Sequence, residues 1–347
     1  MRIVAVAFCL PLVLGPSARV ADATDSEDLS SQSERLDPIW TISTRHLGYA
    51  GNELSAGELD LQVLRYDAAS EVWLDAPLQA FLDEDGEAPT VFYVHGNRRD
   101  RNEAFRRGWA CYHALARDAG PDLPFRFVIW SWPSDQLRGP LRDIRAKACR
   151  TNVDGQYLGW LLGRMQPDTR VSLVGYSFGA RIITGAMHLL NGGTLAGQTV
   201  PIDSPAARTP VRAVLLAAAI HSDWLLPGRP HEDIWPVTDR MSVLYNSSDP
   251  VLRRYHAIER RGRPQALGYV GFWGWQQLGA AAKRVSNRDV SCYVGRTHDV
   301  DAYFCSSTVM NWVRETTLGA PVNDRLPLAT GESMEIDTDL AAGAIQK

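Results

Sequence analysis

The chain has no charge surplus of either sign to speak of: 36 Lys plus Arg stand against 40 Asp plus Glu, a formal charge of −4 over 347 residues. Nothing basic is left over to draw nucleic acid or an anionic membrane surface, so neither is expected as a partner. Cysteine is scarce at five residues, and no Cys-x-x-Cys or His-x-x-x-His spacing occurs among them and the eight histidines. That removes the usual zinc-site signatures, and neither metal nor cofactor is expected. Beyond residue 23 no apolar run is long enough to span a bilayer, so no stable membrane span is expected once a leader is removed. There is no internal repeat. What remains, 45% hydrophobic and 22% charged residues, is the composition of a globular protein with ample material for a core. The length admits two average domains or one parallel α/β domain, and it says nothing about oligomeric state.

The ends read differently from the middle. Residues 1–23 have a secretory leader's layout: Arg2, an apolar stretch Ile3 to Leu14, and small residues at Ala21-Asp22-Ala23. Export to the periplasm or beyond is therefore expected, with an uncleaved anchor or a wrongly chosen start codon as the rival reading. Residues 24–37, rich in Ser, Asp and Glu, read as a flexible linker, and the polar, acidic residues 321–347 as a disordered tail. One domain over 38–320 lies between them. Removal of Cys9 with the leader leaves Cys111, Cys149, Cys292 and Cys305. An even number in an exported protein allows disulfides, and a Cys292–Cys305 bridge would brace the loop of His298; four buried thiols is the equal alternative.

Within 38–320, strand-like and helix-like stretches alternate. Ile39 to Thr44 and Leu59 to Tyr66 alternate apolar and polar residues as half-buried strands do. Thr90-Val91-Phe92-Tyr93-Val94 is a continuous apolar run suited to the middle of a parallel sheet. Helix-like Ala104–Ala116 leads to strand-like Phe125–Trp130, and helix-like Ile144–Met165 to the run Val171–Val174. Further strands are expected at Val211–Ala218, Met241–Tyr245 and Val290–Val294, with a closing helix at Thr308–Glu315. This order is that of crossover units in a mostly parallel central sheet flanked by helices, the α/β class.

The chain is organised around Gly175-Tyr176-Ser177-Phe178-Gly179, between the strand ending at Val174 and the helix-like Ala180–Met187. A serine on a strand-to-helix turn with glycines on both sides is a nucleophile elbow. Its hydroxyl needs a base to take its proton and a carboxylate to orient that base. Strand C-termini of a parallel sheet converge on one edge, so the partners are sought after later strands. Asp249 follows the strand ending at Tyr245; its other reading is a turn or helix cap before Pro250, and Asp223 is the competing carboxylate. His298, in the loop after the last expected strand, is the candidate base, with Asp299 a solvated neighbour. The Phe178 and Asn97 amides are the candidate oxyanion donors, and His95 orients their loop; as a base it would precede the serine in the chain. Arg98, Arg99, Arg101, Arg106 and Arg107 read as a solvated face or as attraction for an anionic substrate. The Gly- and aromatic-rich Ala266–Trp275 reads as packed core or as a flexible apolar wall. Asn246-Ser247-Ser248 matches a glycosylation sequon of little weight.

On these residues the segment from Thr90 to Trp312 resembles the α/β-hydrolase superfamily. His95-Gly96-Asn97, Trp130-Ser131-Trp132-Pro133-Ser134 and the elbow make it similar to an incompletely characterised bacterial esterase/lipase-like branch. That branch typically reads His-Ser-Met-Gly at the elbow, where this chain has Tyr176 and Phe178 around Ser177. The resemblance implies a serine hydrolase fold with Ser177, Asp249 and His298 as its triad and little about substrate; the activity expected from these residues is cleavage of a carboxylic ester or related acyl bond of a small molecule through an acyl-serine intermediate, without cofactor. The other reading is a binding member of the fold without chemistry.

Overall fold

The computed structural model describes residues 37–47, 59–84, 88–117, 119, 123–200, 210–257 and 262–319. The leader, the tail, and the linker apart from Asp37 lie outside the described residues.

In chain order the elements are β1 (Ile39–Ser43), β2 (Gln62–Asp67), β3 (Val72–Asp75), α1 (Leu78–Leu82), β4 (Thr90–Val94), α2 (Arg101–Ala116), β5 (Arg126–Ser131), α3 (Pro140–Arg164), β6 (Val171–Tyr176), α4 (Phe178–Leu190) and β7 (Val211–Leu216). They continue with β8 (Thr238–Tyr245), α5 (Leu267–Val270), β9 (Val285–Asp289), α6 (Ser291–Val294), α7 (Val300–Cys305) and α8 (Ser307–Leu318). The strands form one nine-stranded sheet in the order β3-β2-β1-β5-β4-β6-β7-β8-β9. Only β1/β2 and β2/β3 pair antiparallel; every other pairing is parallel. A mostly parallel sheet with helices on both faces and a serine on the turn after a central strand is the α/β-hydrolase fold.

One expectation about strands is corrected, and one strand was not expected. Val290–Val294 is not a strand: the last strand is Val285–Asp289, and residues 291–294 turn into α6. The sequence also gave no sign of β3, whose side chains are mostly exposed. Both lie at a sheet edge, where one or both faces meet water and no buried apolar run marks the strand.

The centre of the sheet shows the opposite pattern. All residues of β4, β5 and β6 are buried, because helices cover both faces and no polar alternation is needed. The chain moves from β4 to β5 on one side of it and then crosses back to β6 on the other side. Right-handed crossovers then put α2 and α3 on opposite faces. Accordingly α2 packs with α7 and α8, and α3 packs with α4. Where the crossovers part, the loops after β4 and β6 diverge and leave a crevice at the strand C-termini. Ser177 lies on the second of these loops.

Helix α4 follows from its composition: all thirteen residues are buried, as a helix apolar around most of its girth requires. Its one guanidinium, Arg181, sits 4.4 Å from the Trp224 ring.

Candidate active site

The elbow is built from backbone outward. Ser177 has φ 54 and ψ −115, a conformation that L-residues avoid and that neighbours must enforce. Its N–H donates to the Leu216 carbonyl (2.9 Å), and its carbonyl accepts from the Ala180 and Ala219 N–H groups (3.1 Å each). Turn and helix are pressed together through the two glycines. A Cβ on Gly175 would lie 2.7 Å from Ala180 Cα, and one on Gly179 would overlap the Val94 carbonyl oxygen.

The structure brings the three candidate side chains together. Ser177 Oγ lies 3.1 Å from His298 Nε2, and His298 Nδ1 lies 2.5 Å from Asp249 Oδ2. Asp249 is fully buried, and its other oxygen accepts the Val251 (2.8 Å) and Leu252 (2.9 Å) N–H groups. Turn cap and imidazole partner are therefore one residue's two ends. Asp223 is elsewhere, paired with Arg229 at 3.3 Å.

The loop of His298 is held by residues whose part in it the sequence had not shown. Tyr176 donates its hydroxyl to the His298 carbonyl at 2.5 Å, and its burial pushes the phenol's pKa up. Asn246 donates to the Gly295 (2.9 Å) and Thr297 (3.0 Å) carbonyls and is fully buried, which also removes the sequon from any surface role. Asp299 is solvated, its side chain 51% exposed, and is also paired, whereas Arg107 is not part of a solvated face. Arg107, 5% exposed, reaches from α2 to Asp299 (2.6 Å) and Asp301 (2.9 Å). Burial alone would raise the Asp299 carboxyl, but the Arg107 bond and charge outweigh it and hold the pKa below the usual range.

Asn97 and Phe178 line the same cleft as Ser177 and His298. The loop bearing Asn97 lies directly on the elbow, since a Cβ on Gly96 would sit 3.1 Å from Ser177 Cβ. Phe178 opens α4, where backbone N–H groups have no acceptor within the helix. Asn97 Nδ2 (3.2 Å) and Arg98 Nε (2.9 Å) donate to Asp143 on α3, which fixes the loop from outside. From inside, Arg45 donates to Ser131 (2.7 Å), Asp135 (2.8 Å) and the Arg99 carbonyl (2.9 Å). Trp132 stacks on His95 with centroids 5.6 Å apart, and Ser134 donates to the Arg99 carbonyl at 2.8 Å.

His95 is a buried brace, as its position before the serine suggested. Its Nδ1 meets the Gly96 carbonyl at 2.9 Å and its Nε2 meets the Trp132 N–H at 3.3 Å, so the neutral ring carries its proton on Nδ1. Burial, then the charge of Arg45, push its pKa down to about 3. Burial followed by Arg181 pushes His231 well down too. For both, the unfolded chain binds a proton that the folded chain refuses, from about pH 6.5 down to the folded pKa. Their contribution is complete above that pH and is lost on acidification, at up to about 1.4 kcal/mol per pH unit for each ring. Thermal melts between neutral and mildly acidic pH are expected to show a shallower fall of Tm in His231→Gln than in the unaltered protein.

The wall of the cleft comes from an unexpected place. Residues 266–275 do not line it: Leu267 and Phe272 are core, Phe272 stacks on Trp235 at 6.0 Å, and Trp273 is 72% exposed. Leu141 and Ile144 from the start of α3, and Val251, Leu252 and Tyr255 after Asp249, form the apolar wall instead. None of the four cysteines is bridged; Cys111 is buried and the other three are exposed, so neither expectation for them holds. Among the described residues no cluster of metal-ligating side chains occurs, and no helix is long and apolar enough to cross a membrane.

The fold and the hydrogen-bonded Ser177, His298 and Asp249 set the chain among proteins with α/β-hydrolase architecture. No protein-family model matches the chain, and no curated protein matches it. Among solved structures it is similar to an inhibited esterase B from Lactobacillus rhamnosis, at 16% identity and a TM-score of 0.33, over 82% of this chain and 85% of that one.

Proposed function

We propose that the protein is a serine hydrolase that cleaves a carboxylic ester or a related acyl bond through an acyl-serine intermediate. The observation that carries this reading is the continuous relay from Ser177 Oγ to His298 Nε2 and from His298 Nδ1 to Asp249 Oδ2.

The chemistry follows from that geometry. Ser177 Oγ attacks the acyl carbon while its proton passes to His298 Nε2, and the buried Asp249 carboxylate stabilises the imidazolium through Nδ1–H. The carbonyl oxygen becomes an oxyanion facing the Phe178 and Asn97 N–H groups. Collapse breaks the bond to the leaving oxygen, which takes the proton from Nε2. Water, deprotonated by the same nitrogen, then releases the acid and restores Ser177. A cleft of about 660 Å³ is in the size range of small-molecule sites.

Purified protein is expected to hydrolyse p-nitrophenyl esters, with rates rising with acyl length until the apolar wall is covered and then levelling off. Folded protein inert toward the whole series would count against the reading.

Arg107 enters as a positioning residue, since it grips Asp299 beside the base. Arg107→Met is expected to lower kcat by about 10- to 100-fold, through a displaced imidazole, with a smaller change in KM. Arg107→Lys should recover part of the loss. An equal effect on KM alone would place Arg107 in binding instead.

A further inference from the structure

The cleft has a charge that the molecule as a whole does not. The chain is formally −4, yet among the described residues lining the cleft there are three arginines, Arg98, Arg99 and Arg254, and no aspartate or glutamate. The one nearby carboxylate of the relay, Asp249, is fully buried behind His298.

The three guanidinium groups are not equally committed. Arg98 is matched by the buried Asp143 carboxylate at 2.9 Å. Arg99 is held loosely, 3.5 Å from Glu103, and its Nε is buried with no hydrogen-bond partner among the described residues. Arg254 is exposed on the cleft and has no acidic partner among the described residues. They also stand on two sides of the nucleophile. Arg99 follows β4, next to β6 on one side, and Arg254 follows β8, beyond β7 on the other. The same cleft is lined by the apolar side chains of Leu141, Ile144, Val251, Leu252 and Tyr255. An apolar surface flanked by one loosely paired guanidinium and one without an acidic partner among the described residues suits a ligand with both a hydrocarbon part and an oxyanion group.

We propose that Arg254 and Arg99 form an anion subsite and that the substrate is an ester carrying a carboxylate or phosphate in addition to its apolar part. This rests on the serine-hydrolase reading of the same cleft.

The test compares kcat/KM for mono-p-nitrophenyl suberate and p-nitrophenyl octanoate, esters of equal carbon count that differ by a terminal carboxylate. A second pair, 4-carboxyphenyl and 4-carbamoylphenyl butyrate, moves the charge to the leaving side. Octanoate and octyl phosphate, as competitors against octanol, distinguish carboxylate from phosphate. The anionic member of at least one ester pair is expected to be preferred by about 10-fold or more at low salt. The preference should shrink in high salt and fall toward one in Arg254→Gln and Arg99→Gln. Turnover of both members of each pair with no preference, or a preference untouched by either substitution, overturns the anion subsite and leaves the hydrolase reading in place. No turnover of any ester by folded protein removes both.

Discussion

Alanine at Ser177 or at His298 is expected to lower kcat for ester hydrolysis by about 10⁵- to 10⁶-fold, and the double variant to be no slower than either single one. The non-additivity matters as much as the size. Ser177 Oγ and His298 Nε2 are 3.1 Å apart, and in the proposed mechanism they share one proton transfer, so removing either would end the same step. Independent, multiplying losses would mean that the two do not act as a unit. Asp249 calls for asparagine rather than alanine. Its Oδ1 caps the Val251 and Leu252 N–H groups, a role an amide oxygen can keep, while Oδ2 faces Nδ1 of the imidazole. An amide N–H there would oppose the ring N–H and favour the wrong tautomer, so Asp249→Asn is expected to cost about 10⁴ in kcat with little loss of stability. Steady-state kinetics on one p-nitrophenyl ester, with a thermal melt for each variant, check the set.

The second large effect is on folding. Gly179→Ala puts a methyl group into the Val94 carbonyl oxygen, and that atom is backbone at the end of a fully buried strand, unable to rotate aside. The first turn of α4 or the end of β4 must shift. A loss of about 3–5 kcal/mol is expected, seen as a fall in Tm of roughly 10 °C. Gly192→Ala is the control. Gly192 has φ +84 but nothing within 4 Å of an added Cβ, so it tests left-handed backbone strain without a clash. Comparable losses at both positions would mean that close packing of the elbow on β4 is not what Gly179 provides.

Much of this arrangement was legible because it is local. A strand, a turn and a helix around Ser177 are written in consecutive residues, and Asp249 and His298 each follow a strand or an edge segment in the order the fold requires. The buried strands β4, β5 and β6 announce themselves as apolar runs because both faces are covered. Edge strands carry no such mark: β9 reads Val-Ser-Asn-Arg-Asp, and the more apolar residues just after it drew the strand assignment instead. Contacts made at long range were also hidden. Arg107 and Asp299 are 192 positions apart, and neither an arginine on a helix nor an aspartate after a histidine signals its partner. Arg45, 86 positions from Ser131, is of the same kind. The aromatic run at 266–275 left two readings open, because glycine and aromatics suit a packed layer as well as a pocket wall, and the packed layer is the one that holds for Leu267 and Phe272. Asp249 shows that two readings of one residue need not compete, since a carboxylate has two oxygens and here each serves one of them.

Reaction with a fluorophosphonate probe tests the nucleophile most directly, because it requires an activated serine and no knowledge of the substrate. Intact-mass measurement should show a single adduct, peptide mapping should place it on Ser177, and Ser177→Ala should show none. A folded protein that takes up no probe, or an adduct that survives in Ser177→Ala, would contradict the assignment and favour a non-catalytic binding role for this fold.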